Sequence, residues 1–351
     1  MSSKLFVILA LLCISCIFSK SYNTFGSEDV LAFDLNRINF INESQNDWVA
    51  GVNTKFEQAT VKEVKYLLGT YLTSHEELRK KVPIIEVEEL QGLPAEYDAR
   101  VQYPNCESIK EIRDQSTCGS CWAFSAAEVM SDRICIHSNQ TLQTRVSPQQ
   151  LVSCCEDCGY GCNGGWPLKA FNYWGQTGIV TGGLYGQYAQ TCMPYVFPPC
   201  DHHVDGKYGP CGESKPTPEC SLRCNSSYNV PFLQDKTYGT SYGVPNKETS
   251  IQQEILTHGP VSAAFTVYDD FLTYKSGVYK KTKGAKQLGG HAVKIIGYGV
   301  ENGTKYWLVV NSWNEGWGDK GLFKIARGIN ECGIEQQIVA GVPSDKKVNL
   351  K

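Results

Sequence analysis

DQSTCGSCWAF, residues 114–124, sets two cysteines three positions apart, the second followed by tryptophan. Beyond Cys121, the residues Ala123, Ala126, Ala127, Met130 and Ile134 recur at helical spacing and trace one apolar face. The spacing predicts a helix that opens at Cys121. A thiol at a helix amino end is favoured as thiolate, because unpaired N–H groups and the helix dipole stabilise the anion. In a chain with sixteen cysteines, the alternative for either residue is half of a disulfide.

The rest of the chain bounds the answer. Its 351 residues, 42% hydrophobic and 20% charged, have the composition of a globular protein of about two domains. A net charge of -3 offers no basic stripe, which excludes nucleic acid as an expected partner. Lys4 precedes an almost unbroken apolar run over residues 5–18, followed by Ser19 and Ser21. Residues 1–19 are expected to be a secretory signal, too short to span a bilayer. No second apolar stretch reaches spanning length, so no membrane span is expected. The remaining fourteen cysteines, all at or after Cys106, imply an oxidising secretory route. Sequons at Asn42, Asn139, Asn225 and Asn302 fit that compartment.

Residues 20–92 contain no cysteine. Val64, Leu67, Leu68 and Leu72 fall at helical spacing there, predicting a short amphipathic helix in either a removable pro-segment or a small amino-terminal domain. Residues 192–224 hold five cysteines among many Pro and Gly without periodicity, and are expected to form a stapled surface loop. After Val230, VSAAFTVY, HAVKIIGYG, KYWLVVNSW and GLFKIAR read as strands, with Asn302-Gly303 as a hairpin turn.

Among six histidines, His291 follows Gly289-Gly290, where backbone can approach a ligand closely. Across the Asn302-Gly303 turn the returning strand brings Asn311 near it, with Trp313 positioned to shield an imidazole–amide bond. Cys121, His291 and Asn311 form a candidate nucleophile, base and orienter.

At this point the sequence resembles the papain-like cysteine peptidases, and within them the cathepsin B group. Cys118-Gly119-Ser120-Cys121-Trp122 fits the signature of that family. The resemblance runs from about Leu93 to Pro343, with weaker similarity at NDWVAG and YLLGTYL. It implies an α+β fold of two halves: a mainly helical one over about 93–229 and a β-barrel-like one over about 230–343. The cleft between them would bind peptide, and no cofactor or metal is expected. It makes Cys121 the nucleophile, His291 its partner and Asn311 the orienter. It also makes Gln115 an oxyanion donor beside the Cys121 N–H, and Gly164 and Gly165 a cleft wall that pairs with substrate backbone.

His291 and Asn311 lie 170 and 190 residues beyond Cys121, more than the family's usual separation of about 130–150. The excess falls in the stapled loop, whose PPCDHHVDG resembles the occluding loop of the cathepsin B group. His202 and His203 would bind a substrate's terminal carboxylate and favour dipeptide release. The alternative is a zinc site with Cys200, Asp201 and Asp205; Cys155 and Cys158 could likewise be redox or metal residues rather than a bridge. By resemblance the bridges are Cys106–Cys135, Cys118–Cys162, Cys154–Cys220, Cys155–Cys158, Cys192–Cys224 and Cys200–Cys211, leaving Cys121 and Cys332 free.

The resemblance further implies a zymogen, secreted or lysosomal and monomeric. Its partners would be peptide and protein substrates, its own pro-segment as inhibitor, and cystatin-like inhibitors. Two departures stand out. Gln337 takes the place of a glutamate at the base of the pocket for the second residue before the cut, with Glu335 nearby. Of two ionic contacts that hold the loop, His202 with Asp114 has both partners, but Tyr208 and Gly316 replace the charges of the other. Lys207 and Glu315 are their neighbours. A scaffold that has lost catalysis and become a binding module is the rival reading, against which the intact Cys121, Gln115, His291 and Asn311 argue.

Overall fold

The computed structural model describes residues 30–86, 92–201 and 207–344. The signal expected at 1–19, together with His202 and His203, lies outside them. Helix α1 (Leu35–Ser44) begins on Asp34, whose carboxylate caps Arg37 N. Strand β1 (Trp48–Ala50) follows, then α2 (Val61–Lys65) and α3 (His75–Lys81), each opened by a capping box, Thr60/Glu63 and Ser74/Glu77. Strand β2 (Tyr97–Asp98) and the short helices α4 (Ala99–Gln102) and α5 (Glu107–Lys110) lead to α6 (Cys121–His137), α7 (Pro148–Cys154) and α8 (Pro167–Gln176). Strands β3 (Tyr238–Gly239) and β4 (Tyr242–Gly243), helix α9 (Glu248–His258) and strands β5 (Val261–Tyr268), β6 (Tyr274–Tyr279), β7 (Gln287–Glu301), β8 (Thr304–Val310), β9 (Leu322–Ala326), β10 (Gln337–Ala340) and β11 (Pro343–Ser344) complete the described chain.

The expected hairpin is present. Asn302 and Gly303 take positive φ of 49° and 80°, and Glu301 pairs with Thr304 as β7 returns into β8. The sheet runs β1-β6-β9-β8-β7-β5-β10-β4, with β2 against β7. Its outer strands β1 and β4 do not meet, so the β half is an open sheet and not the barrel-like one expected. The reason is visible at both ends: β4 has two residues, and β1 belongs to the amino-terminal segment. That segment is built into the fold, since Trp48, Phe56, Val64 and Leu67 are fully buried in the same core as Phe265, Phe271, Trp307 and Trp317. A second core lies in the helical half around Trp122, Met130, Leu151, Phe171 and Trp174.

The expected helix through Val64, Leu67, Leu68 and Leu72 stops at Lys65, and Leu72 is exposed. From Gly69 the chain is drawn out by hydrogen bonds to the body's backbone, which override the local periodicity. Helix α6 departs from expectation too: every residue from Cys121 to Ile136 is buried. Helices α7 and α8 and strand β7 all pack against it, so its polar residues meet buried partners. Arg133 pairs with Glu254 at 2.9 Å and Lys294 with Asp132 at 2.9 Å.

Glu128 sits beside Lys294 at 3.6 Å in this dry layer, where burial raises its pKa to about 7 against the pull of Lys294 and Arg113. The folded chain therefore holds a proton here that the unfolded chain has already lost near pH 4.5, and stability declines as pH rises from there towards 7. Glu128→Gln should raise Tm at pH 8 and change it little at pH 5, measured by thermal unfolding at both pH values.

All six disulfides implied by the resemblance are formed: Cys106–Cys135, Cys118–Cys162, Cys154–Cys220, Cys155–Cys158, Cys192–Cys224 and Cys200–Cys211. Cys155 and Cys158 are thus a bridge. Cys121 and Cys332 are free.

Candidate active site

Cys121 is the first residue of α6, His291 lies inside β7, and Asn311 directly follows β8. The hairpin between these strands sets His291 Nε2–H to donate to Asn311 Oδ1 at 2.7 Å. Trp313 stacks on the imidazole, ring centroids 4.6 Å apart, and Phe56 of the amino-terminal segment covers Trp313 edge-on at 5.1 Å. Cys121, His291 and Trp313 have no exposed surface.

The cleft between the halves is filled by the amino-terminal segment. Gly69 bridges Gly290, and Thr70 bridges Gly165, both in parallel sense. Thr70 N donates to Gly290 O at 3.1 Å, Tyr71 N to Gly165 O at 3.1 Å, and Gly165 N to Gly69 O at 2.9 Å. These contacts leave no room for side chains: a Cβ on Gly69 would lie 1.8 Å from Gly119 O, and one on Gly290 would lie 2.1 Å from Thr70 O. Gly164 is close as well, its notional Cβ 3.0 Å from Gly69 O. Tyr71 tilts against Trp166 and donates to Asn163 O at 3.0 Å.

Gln115 Nε2 donates to Cys118 O at 2.8 Å and to Leu67 O, a carbonyl of the segment, at 2.9 Å. Thr70 Oγ1 is 3.1 Å from Cys121 Sγ, while His291 Nδ1 has no hydrogen-bond partner. The nucleophile and base candidates share no hydrogen bond, and burial disfavours charge on both. Burial pushes the Cys121 thiol up, against the Thr70 hydrogen bond, and pulls His291 down to about 4, against its bond to Asn311.

Gln337 is buried in β10; its Oε1 accepts from Thr73 N at 2.7 Å and its Nε2 has no partner. Glu335 is committed elsewhere, accepting from Trp307 Nε1 at 2.9 Å, Gly328 N at 2.6 Å and Asn330 N at 2.9 Å, so it does not compensate for Gln337. Asp114, expected to meet His202, receives Lys55 Nζ on both oxygens at 3.0 and 2.9 Å, with Ser116 N, Cys200 N and Asn314 Nδ2 around it. The missing charges at Tyr208 and Gly316 are replaced by the neighbouring pair, Lys207 Nζ to Glu315 Oε2 at 2.5 Å, exposed to water. Such a pair contributes ~0–1 kcal/mol. Among the described residues no cluster of three or more His, Cys, Asp or Glu side chains could hold a metal ion.

Sequence reasoning did not single out Thr70, Lys55 or Ser312. Thr70 stands inside the quoted YLLGTYL and Ser312 inside NSW; nothing local marks Lys55 as a residue that would be buried.

Residues 93–342 match the papain family of cysteine proteases. The chain is 50% identical over 314 residues to cathepsin B-like cysteine proteinase 5 of Caenorhabditis elegans, covering 87% of this chain and 89% of that one. It is 48% identical over 309 residues to the cathepsin B-like cysteine proteinase of Schistosoma japonicum, with the same shares covered. Procathepsin B S9 from Trypanosoma congolense superposes with a TM-score of 0.78 at 35% identity, over 90% of this chain and 100% of that structure. A free thiol at the head of a buried helix, an imidazole on a hairpin beside an amide, and these relatives together mean that the chain belongs to the papain family of cysteine proteases and is a peptidase of the cathepsin B-like kind.

Proposed function

We propose that residues 1–19 direct the chain into the secretory pathway, that 20–92 inhibit it from within its own cleft, and that 93–351 form the peptidase. The observation that carries this reading is the course of Leu67–Thr73, whose backbone pairs with Gly165 and Gly290 and whose Leu67 carbonyl accepts from Gln115. A peptide substrate would use the same groups.

With the segment gone, water enters and the thiol passes its proton to His291. The Cys121 thiolate attacks the scissile carbonyl, and the oxyanion is met by Gln115 Nε2–H and the Cys121 N–H. The imidazolium protonates the leaving amine as the C–N bond breaks. Water then attacks the acyl-enzyme, giving its proton to His291, and the acid product leaves with the thiolate restored. Asn311 holds the imidazole and Trp313 keeps water from that bond.

Opening the cleft moves a proton from sulfur to nitrogen without changing their number, so this pair gives activation no acid dependence. Three ion pairs join the segment to the body: Arg37 with Asp269, Lys55 with Asp114, and Asp47 with Lys280. Destination in an acidic compartment such as the lysosome, or export, fits the zymogen.

Both internal cleavage and dipeptide release are proposed, the second resting on His202 and His203 in the stapled loop. Cys200–Cys211 closes that loop on itself, and the exposed Lys207–Glu315 pair reaches from it to the body, a weak tether that favours relatively more internal cutting. Digestion of a peptide library read by mass spectrometry tests both activities. Dipeptides lost from carboxyl ends and internal fragments are expected together, and the absence of dipeptides would remove the carboxydipeptidase reading. The same digest reports Gln337: a neutral amide gives a guanidinium no charge, so apolar side chains should be preferred two residues before the cut. A strong arginine preference surviving Gln337→Ala would contradict this.

A further inference from the structure

We infer that Ser312 is a positioning residue for the reaction: its hydroxyl locks the Gln115 amide in the orientation that points an N–H at the oxyanion. Resting on the proposed role of Gln115, this assigns a function to a side chain that touches no reacting atom.

Ser312 is 4% exposed and lies between the two halves. Its Oγ–H donates to Gln115 Oε1 at 2.8 Å. Its carbonyl accepts from Gln115 N at 3.0 Å, and its own N–H donates to Asn311 Oδ1 at 2.8 Å. One residue therefore ties the oxyanion donor on the helical side to the group that orients His291 on the β side.

The amide of Gln115 has two ends that can exchange by rotation. A hydroxyl can donate or accept, so it is the two backbone carbonyls at the far end, which only accept, that fix the near end as the oxygen held by Ser312 Oγ–H. The other end is then NH2, with one hydrogen on Cys118 O and the second on Leu67 O, the carbonyl lying in the cleft. Asn311 is set by the same logic. Its Oδ1 accepts from Ser312 N–H and from His291 Nε2–H, which leaves His291 Nδ1 as the basic nitrogen. Tyr195 braces the backbone beneath, donating to Gln115 O at 2.8 Å while contacting Ser120 Oγ at 3.0 Å.

Without the hydroxyl, Gln115 keeps one body contact at its amide, to Cys118 O, and swings about it. A donor displaced by about 0.5 Å no longer meets the charge where it forms. The loss falls on the transition state alone, because the ground-state carbonyl makes little demand on that N–H.

The test uses the processed enzyme, with kcat counted per Cys121 titrated by an epoxide inhibitor, so that misfolded molecules drop out. Gln115→Ala should lower kcat about 10²–10³-fold. Ser312→Ala and Ser312→Cys should each lower kcat by about tenfold or more, with KM and the pH profile unchanged, and Ser312→Thr should recover most of it. In the Gln115→Ala background, Ser312→Ala should cost less than twofold more. Losses that multiply, a Ser312→Ala enzyme with full kcat, or a change in KM alone would overturn the role of Ser312 and leave Gln115 standing. A Gln115→Ala enzyme with unchanged kcat would overturn both.

Discussion

Cys121→Ala should take peptide hydrolysis to the detection limit while leaving the fold intact. In the proposed reaction the sulfur is the atom that bonds the substrate carbonyl, and no neighbour replaces it: Ser120 Oγ is turned away, to Cys118 O and Tyr195 Oη. Losses near 10⁶ in kcat accompany removal of one member of such a nucleophile–base unit, and His291→Ala should be nearly as severe. Cys121 is fully buried and its loss is one sulfur atom, so the six bridges should persist and Tm should move little. The check is fluorogenic peptide turnover alongside a thiol count on the protein freed of residues 1–19, which falls from two to one because Cys332 remains. That second thiol is pushed far up by burial and by Glu331, so it labels slowly. Turnover above a thousandth of the parent rate would refute the nucleophile.

The second large effect is expected at Lys55. Its ammonium and the Asp114 carboxylate face each other at 2.9 Å with almost no exposure, the lysine also donating to Cys200 O at 2.7 Å. Removing one partner of a buried pair costs about 3–5 kcal/mol because the other charge is left in a dry site. Asn314 Nδ2, Ser116 N and Cys200 N still donate to Asp114, which holds the loss near the lower end. Lys55→Met in the full-length precursor should therefore loosen the segment by about 10²-fold or more, seen as peptidase activity before any cut near Leu93. A precursor as silent as its parent would show that Lys55 does not hold the cleft shut. Raising salt should open the parent only slightly, because a pair this deep is poorly screened.

Much of this could be read from local chemistry. Asn302-Gly303 demands positive φ, so the hairpin that joins His291 to Asn311 was legible without knowing the fold. The helix from Cys121 was legible from spacing. Its complete burial was not, because Glu128, Asp132 and Arg133 resemble a solvated face until Lys294 and Glu254, more than a hundred residues later, are brought against them. The extended course of residues 69–73 was hidden for the same reason. Its apolar positions fit a helix, and only the backbones of Gly165 and Gly290 make extension the better state. Lys55 and Ser312 act through partners 59 and 197 positions away, a distance at which no local pattern carries information.

Strand β1 has a consequence for the molecule after maturation. Trp48–Ala50 pairs along β6, and β6 is flanked on its other side by β9. With residues 20–92 removed as proposed, β6 would become the margin of the sheet, with a row of bare amides and carbonyls that invites adhesion between molecules. The strand is poorly suited to that contact: Lys275 offers a charge, and Gly277, at φ 85°, bends the row partway along. The proposed maturation would thus create a self-association hazard together with the active enzyme, and the same six residues would blunt it.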